Sequence, residues 1–101
     1  MKVYLDDERK TPDGWVRTYT PEETIELLKT GNVEYLSLDH DLGYKKPTGY
    51  EVVLWMEEQV FVHKNYTVIP KYTDVHSQNP EGVRRMRNGL RSLYEEMWKN
   101  E

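Results

Sequence analysis

Short apolar runs and amphipathic stretches follow one another along this chain, and their periods predict a mixture of strands and helices. Continuous or alternating apolar residues are typical of strands, and apolar residues spaced by three or four are typical of helices. By these patterns strands are predicted over residues 3–5, 15–19, 33–38 and 68–75. Helices are predicted to begin at residues 21, 49 and 80, each with an apolar face.

Helix-start signals support two of these predictions. Thr20 precedes Pro21, with Glu23 placed to complete a capping box, and Gly31 is placed to end that helix. Asn79 before a proline is the same kind of signal for the last helix. Pro70 makes the beginning of the fourth strand its least regular part, because proline has no N–H for sheet pairing.

The order strand, strand, helix, strand, helix, strand, helix predicts an α/β fold. Strands joined through helices run parallel with right-handed crossovers. We therefore expect a single domain over residues 1–101, a sandwich of three layers around a short, mainly parallel sheet of four strands.

Composition narrows the classes of function. Hydrophobic residues make up 37% of the chain and charged residues 32%, with a net charge of −4, which argues against non-specific DNA binding. The sequence has no cysteine, so thiolate metal sites and cysteine nucleophiles are excluded, and a cytoplasmic location is expected. No apolar run is long enough to predict a membrane span. The oligomeric state is left open.

Three of the predicted strands are followed directly by side chains that can bind metals or transfer protons, and these short segments are called strand tips here. The tips are Asp6-Asp7, Asp39-His40-Asp41 and His76-Ser77-Gln78-Asn79. Because the carboxyl ends of parallel strands lie along one edge of a sheet, the three tips are expected to converge. Four carboxylates gathered there would repel one another, and a hard divalent cation would relieve the repulsion. We expect Mg²⁺, with Mn²⁺ as the alternative, held by Asp6, Asp7, Asp39 and Asp41.

Each tip taken alone has a simpler interpretation. Asp39-His40-Asp41 is also what a polar turn between a strand and a helix looks like, and Asp6-Asp7 could be a capped strand end. A lone histidine is more often a hydrogen-bonded structural residue than a catalytic one. The expected convergence of three tips favours a functional site over these interpretations.

The residues also carry a family resemblance. The segment from Val3 to Glu8, the strand that ends at Asp39, and the Thr48-Gly49 helix start resemble response-regulator receiver domains. Together with the two histidine motifs, they closely resemble the cyclic-phosphate processing receiver domain family over residues 3–93. The resemblance implies a receiver-like, flavodoxin-like fold that lacks the fifth strand. It also implies that Asp6 and Asp7 hold Mg²⁺.

The same resemblance places Asp39 at the phosphoacceptor position and Ser77 beside a phosphoryl oxygen. The receiver lysine that follows the fifth strand has no counterpart here, which weakens a phospho-switch function. Histidines at 40 and 76 add groups that exchange protons near neutral pH. We therefore predict that His76 acts as acid or base, and that His40 is a second base or a metal ligand.

Substrate contacts are predicted from side chains near the same tips. Arg9 is expected to stabilise phosphoryl charge, Asn79 to cap the helix or contact substrate, and Arg84 to reach an anionic ligand. The expected partner is a small phosphorylated ligand, or an RNA or nucleotide end. The leading hypothesis is metal-dependent hydrolysis of a cyclic phosphate. The alternatives are a non-catalytic binding module for a phosphorylated or cyclic nucleotide and a degenerate phospho-receiver.

Overall fold

Four strands form one parallel sheet, and a helix follows each of the last three. The computed structural model describes residues 1–100. In chain order the elements are β1 (Lys2–Leu5), β2 (Val16–Thr18), α1 (Pro21–Leu28), β3 (Tyr35–Leu38), α2 (Tyr50–Phe61), a 3₁₀ turn (Tyr66–Val68), β4 (Tyr72–Val75) and α3 (Pro80–Lys99). The spatial order is β2-β1-β3-β4, and all three pairings are parallel. The predicted α/β receiver-like class and its four-stranded sheet are confirmed.

All three helices lie on one face of the sheet, so the fold has two layers where three were expected. The connections from β2 to β3 and from β3 to β4 step across the sheet in the same direction, and right-handed crossovers of one direction lie on one face. The connection from β1 to β2 crosses the sheet in the opposite direction, but its residues, 6–15, form no helix. No second helical layer therefore forms from the described chain.

The core lies between this face and the helices. Strand residues of the covered face are buried, and they share one hydrophobic cluster with α2 and α3. The strand contribution is Val3, Leu5, Leu36, Leu38 and Val75, and the helical contribution includes Val52, Val53, Met56, Val60, Met86, Leu90 and Leu93. Because side chains alternate along a strand, the intervening residues point away from the helices.

The opposite side of the sheet is called here the open face. Its members, set by the strand register, are Lys2, Tyr4, Arg17, Tyr35, Ser37, Tyr72 and Asp74. The loop of residues 6–15 covers part of it, and the Arg17 Nε–H donates to Thr11 Oγ1 at 2.7 Å. Tyr72 is 53% exposed.

Both predicted helix caps are present. The Glu23 N–H donates to Thr20 Oγ1 at 3.1 Å, and the Gly82 N–H donates to Asn79 Oδ1 at 3.0 Å. Gly31 follows α1 with φ +76°, a left-handed conformation that glycine adopts at little steric cost. Within residues 1–100, no helix is long and apolar enough to cross a membrane.

The fourth strand is shorter than predicted. It begins at Tyr72, not at residue 68, because the preceding residues form the 3₁₀ turn and enter the core. Pro70 has no N–H to pair with β3, and its carbonyl accepts a hydrogen bond from the Tyr94 hydroxyl at 2.7 Å. The apolar pair Val68-Ile69 is therefore buried without being part of the sheet.

Candidate active site

An open cleft of about 810 Å³ lies at the carboxyl edge of the sheet. The ends of β1, β3 and β4 contribute to it, as does the loop that precedes α2. Its lining residues are Asp6, Asp7, Glu8, Arg9, Asp39, Asp41, Gly43, Tyr44, Lys45, Lys46, Thr48, Ser77 and Gln78. Tips that are far apart in sequence thus meet in one place, as parallel strands require.

Three carboxylates form the centre of this cleft. Asp6, Asp7 and Asp39 each offer an oxygen, and these oxygens all lie within 4.8 Å of one another. Burial and the negative charge of Asp6 raise the pKa of Asp39, against the hydrogen bond of the Ser77 hydroxyl. Anionic oxygens at such spacing favour a hard cation, and an all-oxygen donor set suits Mg²⁺ or Mn²⁺. The three side chains therefore fit the expected metal.

Asp6 is the best anchored of the three. Its side chain is 1% exposed. The N–H groups of Glu8 and Arg9 donate to Oδ1 at 2.7 and 2.9 Å. Burial alone would raise the pKa of Asp6, but these two backbone bonds and the contact with His76 outweigh it and lower the pKa. Asp6 is therefore held as a charged carboxylate of defined orientation.

His76 supports Asp6 from behind the cleft. Its Nε2 lies 2.9 Å from Asp6 Oδ2, its Nδ1 lies 2.6 Å from Ser37 Oγ, and its ring stacks on Tyr4 at 4.1 Å. Burial lowers the pKa of His76, against the pull of the Asp6 carboxylate. The imidazole is not among the groups that line the cleft. It thus contacts a predicted metal ligand while only 14% of its side chain is exposed.

His40 occupies a different environment from the one predicted. Its Nδ1 lies 2.7 Å from Asp41 Oδ1, and its ring packs against Gly82 at the start of α3. A Cβ at Gly82 would lie 2.4 Å from His40 Cγ, so only glycine leaves room for the ring. His40 is not among the cleft-lining groups. The structure therefore gives it a packing contact and does not bring it to the three carboxylates.

The fourth predicted metal ligand also stands apart. Asp41 is on the rim of the cleft with 60% of its side chain exposed, and it is outside the group formed by the other three aspartates. Its Oδ1 is occupied by His40 and lies 3.4 Å from Asn79 Nδ2. Of the four carboxylates predicted to hold a cation, the structure brings three together and leaves Asp41 on the rim.

The predicted substrate contacts divide into two groups. Arg9 and Ser77 line the cleft. Asn79 caps α3, and Arg84 lies on the exposed surface, where its Nη2 is 2.7 Å from Glu81 Oε2. Arg84 is not among the cleft-lining groups, because its position on α3 directs it away from the strand ends. Its predicted contact with an anionic ligand is not supported.

The sequence reasoning missed cations that come from the loop before α2. Lys45 and Lys46 line the cleft together with Thr48 and Gln78, and Lys45 has φ +58°. The receiver lysine has no counterpart in the sequence, but this loop brings two lysines to the cleft lining from another element. The signal that could have identified them is their position in the sequence, between Asp39 and the Thr48-Gly49 helix start.

The start of α2 is pressed against the strand that carries Asp39. The Gly49 N–H donates to the His40 carbonyl at 2.9 Å. A Cβ at Gly49 would lie 1.8 Å from the carbonyl oxygen of Asp39, so no larger residue fits without moving the strand end. The glycine predicted to open this helix is thus required by close backbone approach, which fixes Asp39 relative to α2.

Comparison with known proteins identifies the family. The family model described as "Cyclic-phosphate processing Receiver domain" matches residues 1–92. Searches against curated proteins and solved structures found no match. The match covers all four strands, the cleft and most of α3, and it agrees with the resemblance carried by the strand tips. The chain therefore belongs to the cyclic-phosphate processing receiver domain family.

Proposed function

We propose that this protein hydrolyses a cyclic phosphate on a nucleotide or an RNA end, with a divalent metal held by Asp6, Asp7 and Asp39. The observation that carries the proposal is the group of three carboxylate oxygens within 4.8 Å, placed in a cleft that also contains cationic side chains. Membership of the cyclic-phosphate processing family supports the choice of substrate class.

The metal has a defined part in the proposal. Mg²⁺, or Mn²⁺ in its place, supplies Lewis-acid polarisation of a phosphoryl oxygen and a more acidic bound water when it is present. Asp6 is oriented by two backbone amides and by His76, and Asp39 is fixed by the close packing of Gly49. A rigid set of ligands of this kind is what a reactive metal site requires.

The rest of the cleft would bind and orient the phosphate. Arg9, Lys45 and Lys46 bring positive charge to a site whose other members are carboxylates. Guanidinium and ammonium groups stabilise the charge that spreads over phosphoryl oxygens in the transition state. Ser77, whose Oγ accepts the Asn79 N–H at 3.2 Å, hydrogen-bonds to Asp39 and would have to turn from that carboxylate to donate its proton to a phosphoryl oxygen.

The reaction is a displacement at phosphorus. The oxygen of a water molecule forms the new bond to phosphorus as that water loses a proton, and one ring P–O bond breaks. The departing alkoxide takes up a proton in exchange through solvent, so that a phosphate monoester and a free hydroxyl result. In this proposal His76 is a positioning residue that acts through Asp6, because its imidazole is committed to Asp6 and Ser37. His40 positions the start of α3 by packing against Gly82.

One observation favours binding without turnover as a second candidate. Neither imidazole lines the cleft, so the usual side chain for proton transfer near neutral pH does not face the substrate space. A protein of this kind would hold a phosphorylated or cyclic nucleotide and release it unchanged.

Turnover by the wild-type protein separates the two candidates. The protein is incubated with a panel of 2′,3′-cyclic and 3′,5′-cyclic mononucleotides and an RNA oligonucleotide with a 2′,3′-cyclic end, with Mg²⁺, with Mn²⁺ and with EDTA. We expect conversion of at least one member to a monoester with metal only. A ligand that stabilises the protein but is recovered unchanged would favour the binding module. No turnover of any panel member would contradict hydrolysis.

A further inference from the structure

The open face carries stacked aromatic rings that no helix covers. Tyr35 and Tyr72 lie opposite each other on β3 and β4, with ring centroids 5.2 Å apart and planes inclined by 21°. Tyr72 is 53% exposed and Tyr35 is partly exposed. A second aromatic group, in which Tyr4 contacts Trp15 and His76, lies beside them on β1, but Tyr4 is only 9% exposed and adds no open ring face. Flat rings in this arrangement can extend a stack to an added planar group.

Cations border the same rings, although the whole chain is acidic. The Lys2 Nζ lies 5.4 Å from the Tyr35 ring centroid and 5.8 Å from that of Trp15. The Lys71 Nζ lies 5.5 Å from the Tyr72 centroid. The carboxylate on this face, Asp74, is 3.7 Å from an arginine of α3. The open face therefore combines π surfaces with a local excess of positive charge.

We propose that the open face binds a short segment of single-stranded RNA, with bases stacked on Tyr35 and Tyr72 and phosphates near Lys2 and Lys71. Every base has a π face, so aromatic platforms beside cations bind single strands with little dependence on sequence. A duplex hides its bases from such a surface. The proposal is therefore compatible with the net charge of −4, which argues against non-specific binding of double-stranded DNA.

Largely buried side chains connect the open face to the cleft. The His76 ring stacks on Tyr4 of the open face, and its Nε2 contacts Asp6 of the carboxylate group. Tyr35 and Tyr72 begin β3 and β4, so an RNA segment that runs along these two β-strands from the rings would have its end at the carboxyl edge of the sheet. The choice of RNA over DNA rests on the proposed function, since a terminal 2′,3′-cyclic phosphate requires a ribose. Base stacking itself does not depend on any turnover in the cleft.

Binding is measured without metal and without a cyclic end, so that it is independent of hydrolysis. A 5′-labelled RNA hexanucleotide that ends in a 3′-hydroxyl is titrated with the full chain in EDTA and followed by fluorescence anisotropy. We expect saturable binding that weakens as salt is raised, and no binding of duplex DNA of the same length. No binding of the RNA hexanucleotide would overturn the proposal, whatever the cleft does to cyclic phosphates.

Variants locate the contact. Tyr72→Ala and Tyr35→Ala are each expected to weaken binding by about five-fold or more, the range of one lost base stack. Lys2→Ala is expected to reduce the dependence on salt. Phe61→Ala is the control, because Phe61 is also an exposed aromatic residue, at 41%, but lies at the end of α2 on the other side of the sheet. The affinity of Phe61→Ala for the RNA hexanucleotide is expected to match that of the wild type.

Two other outcomes would indicate a different binding partner for the open face. Tighter binding of a single-stranded DNA hexanucleotide than of RNA would overturn the choice of RNA. Sedimentation of the wild type as a dimer that Tyr72→Ala converts to a monomer would make the open face a contact between copies of the chain. Circular dichroism checks the fold of each variant, and Tyr72→Leu, which keeps apolar bulk but not the ring, replaces any alanine variant that does not fold.

Discussion

The Nε2 atom of His76 lies 2.9 Å from Oδ2 of Asp6, although the two residues are seventy positions apart in the chain. This contact places the imidazole behind the carboxylate group and outside the cleft. Oδ1 of Asp6 accepts two backbone N–H groups, so contacts at both oxygens fix the orientation of this carboxylate. The histidine is thus a support for a proposed metal ligand, and the effects of changing it should be transmitted through Asp6.

His76→Phe tests this relationship. Phenylalanine keeps an aromatic ring against Tyr4 but removes the hydrogen bond to Asp6. Loss of such an outer partner typically weakens metal binding by about 10- to 100-fold. We expect a decrease of that size in Mn²⁺ affinity, measured by isothermal titration calorimetry. Ser37→Ala is the matched control, since it removes the other hydrogen bond of His76 and leaves Asp6 paired. An unchanged Mn²⁺ affinity in His76→Phe would contradict the supporting role.

Gly82→Ala tests the packing of His40. Alanine normally stabilises a helix by up to about 1 kcal/mol relative to glycine. Here its Cβ would meet the His40 ring at 2.4 to 2.8 Å. We therefore expect the free energy of unfolding to fall by about 1–3 kcal/mol, as for other overpacked sites, in urea denaturation. In the background of His40→Ala, the same substitution should become neutral or stabilising. Equal destabilisation in both backgrounds would show that the imidazole is not the obstacle.

Glu57→Gln tests a partly buried carboxylate on α2. The Glu57 Oε1 is inaccessible and has no hydrogen-bond partner within residues 1–100, and burial raises its pKa from 4.5. The folded state therefore binds more protons than the unfolded state just above that value, so stability falls as the pH rises toward neutrality. Glu57→Gln should stabilise the protein by about 1 kcal/mol at pH 7 and should lose this advantage below about pH 4.5.

The neighbouring Glu58→Gln is the control for this effect. Glu58 is on the same helix but is 57% exposed, with His63 at 3.7 Å. Its substitution should change the free energy of unfolding by less than about 0.5 kcal/mol at either pH. A stabilisation by Glu57→Gln that is the same at pH 4 and pH 7 would contradict the account of the buried charge.

Local signals in the sequence predicted the elements and the position of the site. Thr20 and Asn79 mark helix starts because a short polar side chain before a proline satisfies the first free amides. The tips at Asp6 and Asp39 follow apolar runs, and the parallel topology then places them together. These inferences needed only neighbouring residues and one rule about parallel sheets.

The number of layers in the fold and the orientation of the histidine rings could not be predicted from such local signals. They depend on the absence of a helix between β1 and β2, which leaves one face of the sheet without helices. The polar Ser37 between buried Leu36 and Leu38 is the residue that signals this face. His76 follows the same alternation one residue after buried Val75, so its ring points toward Ser37 and not into the cleft. That alternation can be read only once the strand register is known.

Hydrolysis by two matched variants is the most direct test of the carboxylate site. Asp39→Asn changes a member of the three-carboxylate group, and Asp41→Asn makes the same chemical change two residues away on the exposed rim. With Mg²⁺ and the best cyclic phosphate of the panel, we predict that Asp39→Asn loses about 100-fold or more of kcat/KM and that Asp41→Asn loses less than about ten-fold. Equal losses in the two variants, or full activity of Asp39→Asn, would contradict a reaction centred on Asp6, Asp7 and Asp39.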